Sequence, residues 1–207
     1  MTGFKPKKWP KQARSKASFD AVIEAAARLL AESGYEALTT NRIAERAGVS
    51  IGTLYEFFPD KETIVAVLAE RQMARIVERM RKAFADIGDI GPWRGVIHLT
   101  EAAVAVMAED RDVHRALLRQ IPFVAHLPAV TEARMAMLDL AQQVRIAAGD
   151  RLDLPMPEED AWLIAQMLYN TILEIALLDV PPAKKKQFTR ELARLTYRMA
   201  VGRDPMV

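Results

Sequence analysis

The 207 residues are 51% apolar and 27% charged, enough to bury the core of one medium domain or of two smaller ones and too apolar for a chain disordered overall. With no cysteine, disulfides, thiolate catalysis and cysteine-based zinc sites are excluded, which suits a reducing cytoplasm. The net charge of +2 divides unevenly: residues 1–82 hold 15 Lys/Arg against 10 Asp/Glu, and residues 83–207 hold 14 against 17.

The first sixteen residues contain Lys5, Lys7, Lys8, Lys11, Arg14 and Lys16 before any acidic residue. They lack an apolar run, so they are not a secretory signal. Residues 1–17 read as a flexible basic arm, with Lys5 to Lys11 disordered. Helical periodicity then begins. Ser18 to Ser33 carries Phe19, Val22, Ile23, Ala26, Leu29 and Leu30 at helical spacing, and Gly34 closes it. Thr39 caps a second short helix that ends at Gly48, and Ser50 caps a third that stops at Pro59. Asp60 caps a long fourth helix, with Ile64, Val65, Leu68 and Ile76 on its apolar side, running to about Ile87 before "GDIGP" breaks it. The joint between two domains is expected on this helix near Met80, where the charge balance changes sign, giving 18–80 and 81–207. Five further helices follow over Trp93–Glu109, Asp112–Ile121, Pro128–Ala148, Pro157–Leu178 and Ala183–Val201. Pro122, Pro128, Pro155, Pro157, Pro181 and Pro182 stand at the breaks. The fold class is all-α with about nine helices. The apolar segment Ala161–Leu178 is interrupted by Gln166, Asn170 and Glu174, so no transmembrane helix is expected.

The stretch "TTNRIAERAGVSIGTLYEFFPDKE", Thr39 to Glu62, carries the functional signal. Ile43 and Ala47 face inward, and Ala44 is small where a following helix must cross. Gly48 leaves the helix with positive φ, Val49 plugs the turn, and Leu54 and Phe58 pin the third helix to the same core. That is the spacing of a helix-turn-helix. It explains why the third helix keeps Gly52, whose bare backbone can lie against a phosphate, and uncommitted side chains at Ile51, Thr53, Tyr55, Glu56 and Phe57. An αα-corner inside a helical enzyme would leave Gly52 and the basic arm without a reason.

These residues resemble the DNA-binding segment of the TetR family of bacterial one-component repressors. Thr39, Ile43, Ala44, Ala47 to Ser50, Gly52, Leu54, Tyr55, Phe58, Pro59 and Lys61 carry the resemblance, which is close through Leu68 and covers about the first third of the chain. It implies that Thr39, Tyr55 and Lys61 contact phosphates. Thr40 and Ser50 are further candidates on the DNA-facing side, and Arg42 and Arg46 are solvated or near phosphate and not readers. Ile51, Thr53, Glu56 and Phe57 are the candidate base readers. Glu56 can accept from a cytosine amino group, or it can be a solvated carboxylate that repels wrong DNA. Phe57 departs from the family's frequent polar-edged aromatic, so a contact from it would be apolar. Arg14 and Lys16 can enter the minor groove or neutralise phosphates.

The second half is apolar around most of Ala161–Leu178, and a helix of that kind must be covered on more than one side. Leu168, Ile172 and Ile175, with Phe188, Leu192, Leu195 and Met199 of the last helix, are expected to meet their copies in a four-helix dimer interface, which is what the resembled family uses. Trp93, His98, Met107, Phe123, Met137, Trp162 and Tyr169 are candidates to line a pocket for an apolar or aromatic effector. Gln166, Asn170 and Glu174 form one polar stripe that faces a ligand, the dimer axis or water. His98 and Glu101 share a helical face but lack a second ligand pair, so neither a metal nor a cofactor is expected. No nucleophile elbow, phosphate loop or dinucleotide fingerprint is present. The reading is a cytoplasmic, homodimeric transcriptional regulator and not an enzyme, most simply a repressor released from a pseudo-palindromic operator by a small molecule. A DNA-binding regulator without such a ligand, or an all-α enzyme on the same scaffold, is the alternative.

Overall fold

The computed structural model describes residues 3–88, 91–148 and 158–201. Within them the chain is helical, with no strand. In order, the helices are α1 Ala13–Ser33, α2 Thr40–Ala47, α3 Ile51–Phe57, α4 Lys61–Ala85, α5 Pro92–Glu109, α6 Arg111–Arg119, α7 Pro128–Ala148, α8 Glu158–Leu177 and α9 Pro182–Val201, with a 3-10 turn over Pro122–His126. The expected breaks at residues 89–90, Pro155 and Pro157 lie outside the described residues. Two expectations need correction. Helix α1 starts five residues before Ser18, because its polar first turn gives no apolar periodicity to read. Pro122 starts the 3-10 turn as well as ending a helix, since a proline costs nothing in a first turn whose N–H groups have no partner.

The caps explain the short helices. Thr39 accepts from the Arg42 N–H at 3.3 Å, Ser50 from the Thr53 N–H at 3.0 Å, and Asp60 from the Thr63 N–H at 2.7 Å. Gly48 stands in the left-handed region at φ 68°, where its N–H bonds back to the end of α2.

Two compact units are present, one of Met1–Ala74 with Asp112–Thr131, the other of Arg75–Arg111 with Glu132–Val207. In the first, α1 buries Phe19, Val22, Ile23, Ala26, Leu29 and Leu30. Against them lie Ile43 and Ala44 of α2, Leu54 of α3, Phe58, and Ile64, Val65 and Leu68 of α4, all buried. A sequence division at residue 80 does not anticipate that α6 and the 3-10 turn belong with these helices. They do so because α6 buries Val113, His114, Ala116 and Leu117 and the next segment buries Ile121 and Val124. The Tyr35 N–H donates to Gln120 Oε1 at 2.9 Å, and the Tyr35 ring meets Phe123 edge-on at 6.5 Å.

The second unit is built on α5, α8 and α9, which pack on one another. Val104, Val106 and Met107 of α5 are buried with Ile175, Ala176 and Leu177 of α8 and Leu192 and Ala193 of α9. Trp93 meets Tyr197 edge-on at 5.6 Å, and Lys185 Nζ donates to the Ala176 carbonyl at 2.8 Å near the end of α8. Arg75 pairs with Asp110 and Arg79 with Glu109.

Phe19 forms an aromatic cluster with Trp9, Phe57 and Phe58, at centroid distances of 5.5, 5.6 and 4.6 Å, so its truncation tests what holds the first unit. Phe19→Ala is expected to cost about 3–5 kcal/mol, the range for removing a buried aromatic ring. Urea denaturation followed by circular dichroism measures it. A loss below about 1 kcal/mol would show that Phe19 does not hold the aromatic cluster together.

Candidate nucleic-acid interface

Helices α2 and α3, joined by Gly48, Val49 and Ser50, are fixed from below by Ile43, Leu54 and Phe58, each with no exposed surface. What α3 leaves outside is Ile51, Gly52, Tyr55 and Glu56, with Thr53 half-buried. The Gly52 backbone is open. A methyl group built there meets nothing closer than Ser50 Oγ at 3.7 Å, so no intramolecular packing requires glycine at this position. Close approach of an external backbone does give a reason.

The polar groups around it are held by short-range bonds. Tyr55 Oη shares a hydrogen bond with Thr40 Oγ1 at 3.0 Å, tying α3 to the first turn of α2, while the Tyr55 ring stays exposed. Thr39 and Ser50 are exposed caps, so their hydroxyls serve the helices and stay accessible together. Lys61 Nζ lies 4.2 Å from the Tyr35 ring centroid, a cation–π contact at the start of α4. Burial and its hydrogen bond to Glu62 push the Tyr35 phenol up from its ordinary range. Arg42 is exposed, but its guanidinium donates to the Ala37 carbonyl at 2.7 Å and so braces the turn before α2. Arg46 pairs with Glu32 of α1. Arg14 and Lys16 are exposed on the first turn of α1, which carries no acidic residue and no side-chain cap. Cations at the positive end of a helix oppose its dipole, a pattern that suits a phosphate and does nothing for the helix itself.

The sequence reading errs at Phe57 and in the arm. Phe57 is only 3% exposed, so it is not free to read bases. Its ring meets Phe19 edge-on at 5.6 Å, and Lys8 Nζ sits 5.2 Å from its centroid. Nor are Lys5 to Lys11 a disordered tail. The Lys7 N–H donates to the Phe57 carbonyl at 2.8 Å, Lys7 Nζ to the Tyr55 carbonyl at 3.0 Å, and Lys8 Nζ pairs with Glu56 Oε2 at 2.7 Å. Phe4 stacks on Phe123 with centroids 4.6 Å apart, and Trp9 on Phe19 at 5.5 Å. The signal was present. Pro6 and Pro10 hold Lys5 and Trp9 extended, and the α3 carbonyls that have no helical partner attract cations.

The effector and dimer candidates scatter. Trp93 is half-buried on Tyr197, His98 Nε2 is 3.1 Å from the Ala83 carbonyl, Met107 is buried, and Met137 and Gln166 are half-buried. Half-buried Tyr169 has the Arg134 guanidinium 5.9 Å from its ring, and burial raises its phenol above the ordinary range. Phe123 belongs to the first unit, with Phe4 and Tyr35, so it is not grouped with the others. Trp162, Asn170 and Glu174 are exposed on α8, and Asn170 Nδ2 donates to the Gln166 carbonyl one turn back. They share an outer surface with Leu163 and Met167, each more than half exposed. Among the interface candidates Phe188, Leu195 and Met199 are exposed and Leu168 and Ile172 half-buried. Ile175 and Leu192 are buried inside their own unit, because the α8 and α9 faces that carry them turn toward each other and α5. Among the described residues no three acidic or histidine side chains cluster as metal ligands, and no helix is long and apolar enough to cross a membrane.

Known proteins match this arrangement. Residues 22–68 fit the family described as bacterial regulatory proteins, tetR family. The fatty acid metabolism regulator protein of Bacillus subtilis (strain 168) is 39% identical over 61 residues, 30% of this chain and 31% of that protein. The match thus spans about a third of that relative's length. Over the whole chain the likeness is one of fold. FadR of Bacillus subtilis, solved with stearoyl-CoA, superposes with a TM-score of 0.67 at 21% identity, covering 89% of this chain and 99% of that one. AibR, solved with isovaleryl coenzyme A and operator DNA, does so with a TM-score of 0.67 at 18% identity, covering 86% and 97%. The capped α2–α3 pair, its open glycine and these matches agree, and over residues 22–68 the chain carries the segment that defines the bacterial regulatory proteins of the tetR family.

Proposed function

We propose that this chain is a homodimeric, ligand-responsive transcriptional repressor acting on DNA in the cytoplasm by binding and not by catalysis. The observation that carries the reading is the outer face of α3, where Gly52 leaves open backbone between exposed Ile51, Tyr55 and Glu56. Gly52, Tyr55, Thr39, Thr40, Ser50 and Lys61 are the phosphate-side groups, with Arg14 and Lys16 beside them. Ile51, Thr53 and Glu56 are the base-side groups. Two copies of this face on a two-fold axis would read a pseudo-palindrome.

Binding to the intergenic DNA beside the gene is expected to weaken steeply as salt rises from about 50 to 200 mM. Gly52→Ala should keep or raise the melting temperature, since alanine favours a helix by about 1 kcal/mol. The same change should weaken DNA binding, because the methyl group intrudes where a phosphate must approach. Tyr55→Phe should weaken all sequences alike by about 1 kcal/mol. Fluorescence anisotropy at several salt concentrations measures the three binding effects and a thermal melt the stability, and binding that ignores salt and glycine alike would refute the reading.

The exposed apolar surface of α8 and α9 supports the dimer. Trp162, Leu163 and Met167 on α8 and Phe188, Leu195 and Met199 on α9 are all left exposed, more large apolar side chains than two helices of a solitary domain usually show. Leu195→Glu, at an exposed position, should spare folding but give monomers and weaken operator binding. Sedimentation velocity decides this, and a variant that stays dimeric moves the interface elsewhere.

Half-buried Met137, Gln166 and Tyr169 of the second unit remain as effector-facing groups. Glu174 is exposed and is not placed among them. Similar folds solved with stearoyl-CoA and isovaleryl coenzyme A make acyl thioesters the first compounds to test. An effector should raise the melting temperature of the free protein and release it from DNA. Acyl thioesters that do neither would remove that ligand class.

A further inference from the structure

The N-terminal strap ends on the recognition helix, and its placement bears on the binding surface proposed above. Pro6 and Pro10 fix their own φ and keep the residues before them extended, so "PKKWP" crosses α3 as a preformed strap. Phe4 on Phe123 and Trp9 on Phe19 hold the strap at its two ends. Between them the Lys7 N–H bonds the Phe57 carbonyl at 2.8 Å, and Lys7 Nζ bonds the Tyr55 carbonyl at 3.0 Å. Both carbonyls lie at the negative end of α3, where a cation is favoured. Lys8 is then set down on the Glu56 carboxylate, Nζ to Oε2 at 2.7 Å.

Glu56 is the one acidic side chain on α3, and it stands exposed next to Tyr55 and one turn from Gly52. A bare carboxylate there would meet the DNA backbone with like charge. Neutralised by Lys8, it can approach. With Oε2 held by the ammonium, Oε1 stays directed for a donor such as a cytosine amino group. We propose that Lys8 is a specificity-determining positioning residue that acts through Glu56, screening its charge and fixing its carboxylate for base recognition. This rests on the DNA-binding reading.

The test compares the full chain, Lys8→Gln, Glu56→Gln and the double variant against duplexes that the unaltered protein enriches from a random-sequence pool. The Lys8 and Glu56 side chains are both more than half exposed, so the variants should fold, and circular dichroism checks it. Lys8→Gln should weaken binding to the enriched duplex about five- to tenfold. It should also flatten base preference at the same position that Glu56→Gln flattens. In the Glu56→Gln background the Lys8 change should have no further effect. An equal loss in both backgrounds would make Lys8 a phosphate contact in its own right and overturn the proposal. So would an unchanged base profile in Lys8→Gln. If the unaltered protein enriches no sequence, the DNA-binding reading fails and this inference falls with it. Enrichment without a Lys8 effect overturns this inference alone.

Discussion

The Phe19 ring is the contact on which the placement of α3 rests. It lies 4.6 Å from the Phe58 ring and 5.6 Å from Phe57, with Trp9 above it and the Arg71 guanidinium 5.5 Å from its centroid. Helix α1, the end of α3, the start of the chain and α4 therefore share one aromatic cluster. Arg71 is itself bonded to Asp20 at 2.5 Å, beside Phe19 in sequence. The orientation of α3 follows from that packing more than from its own length, since seven residues are too few for a stable helix in isolation. What faces outward on α3 is what the cluster does not use.

The second unit obeys a different constraint. Its interior is filled by α5, α8 and α9, yet α8 and α9 retain large apolar side chains outside. A helix apolar around most of its circumference needs cover on more than one side, and among the described residues α5 and α9 cover the inner side of α8. Ile175 and Leu192 take the inner partner. Leu163, Met167 and Leu195 are left over.

How far the sequence could be read follows from the same physics. Each cap lies three residues from the N–H it accepts from, the Gly48 turn joins two adjacent helices, and each was legible. Phe57 was not, because sequence spacing names Leu54 and Phe58 as the inward face and is silent on a strap arriving from residue 8. The strap's charges suggested disorder, while its prolines and aromatics specified a path. Ile175 and Leu192 were assigned to the outside because periodicity identifies an apolar stripe without saying which partner covers it. The likeness to solved structures shows the fold along nearly the whole chain, while the sequence match to the fatty acid metabolism regulator covers 30% of it.

Gly34 bears on how such regulators can be recombined. It sits at φ 74°, and a methyl group there would come within 2.9 Å of Gln120 Oε1, the atom that accepts from the neighbouring Tyr35 N–H. Positions 34, 35, 120 and 123 are thus one packing unit drawn from distant stretches of chain. A chimera cut within α4 that imported another protein's entire second half would part Gly34 and Tyr35 from their own Gln120 and Phe123. Modular exchange of second halves would have to graft around residues 112–131, leaving that segment with the recipient's N-terminal helices.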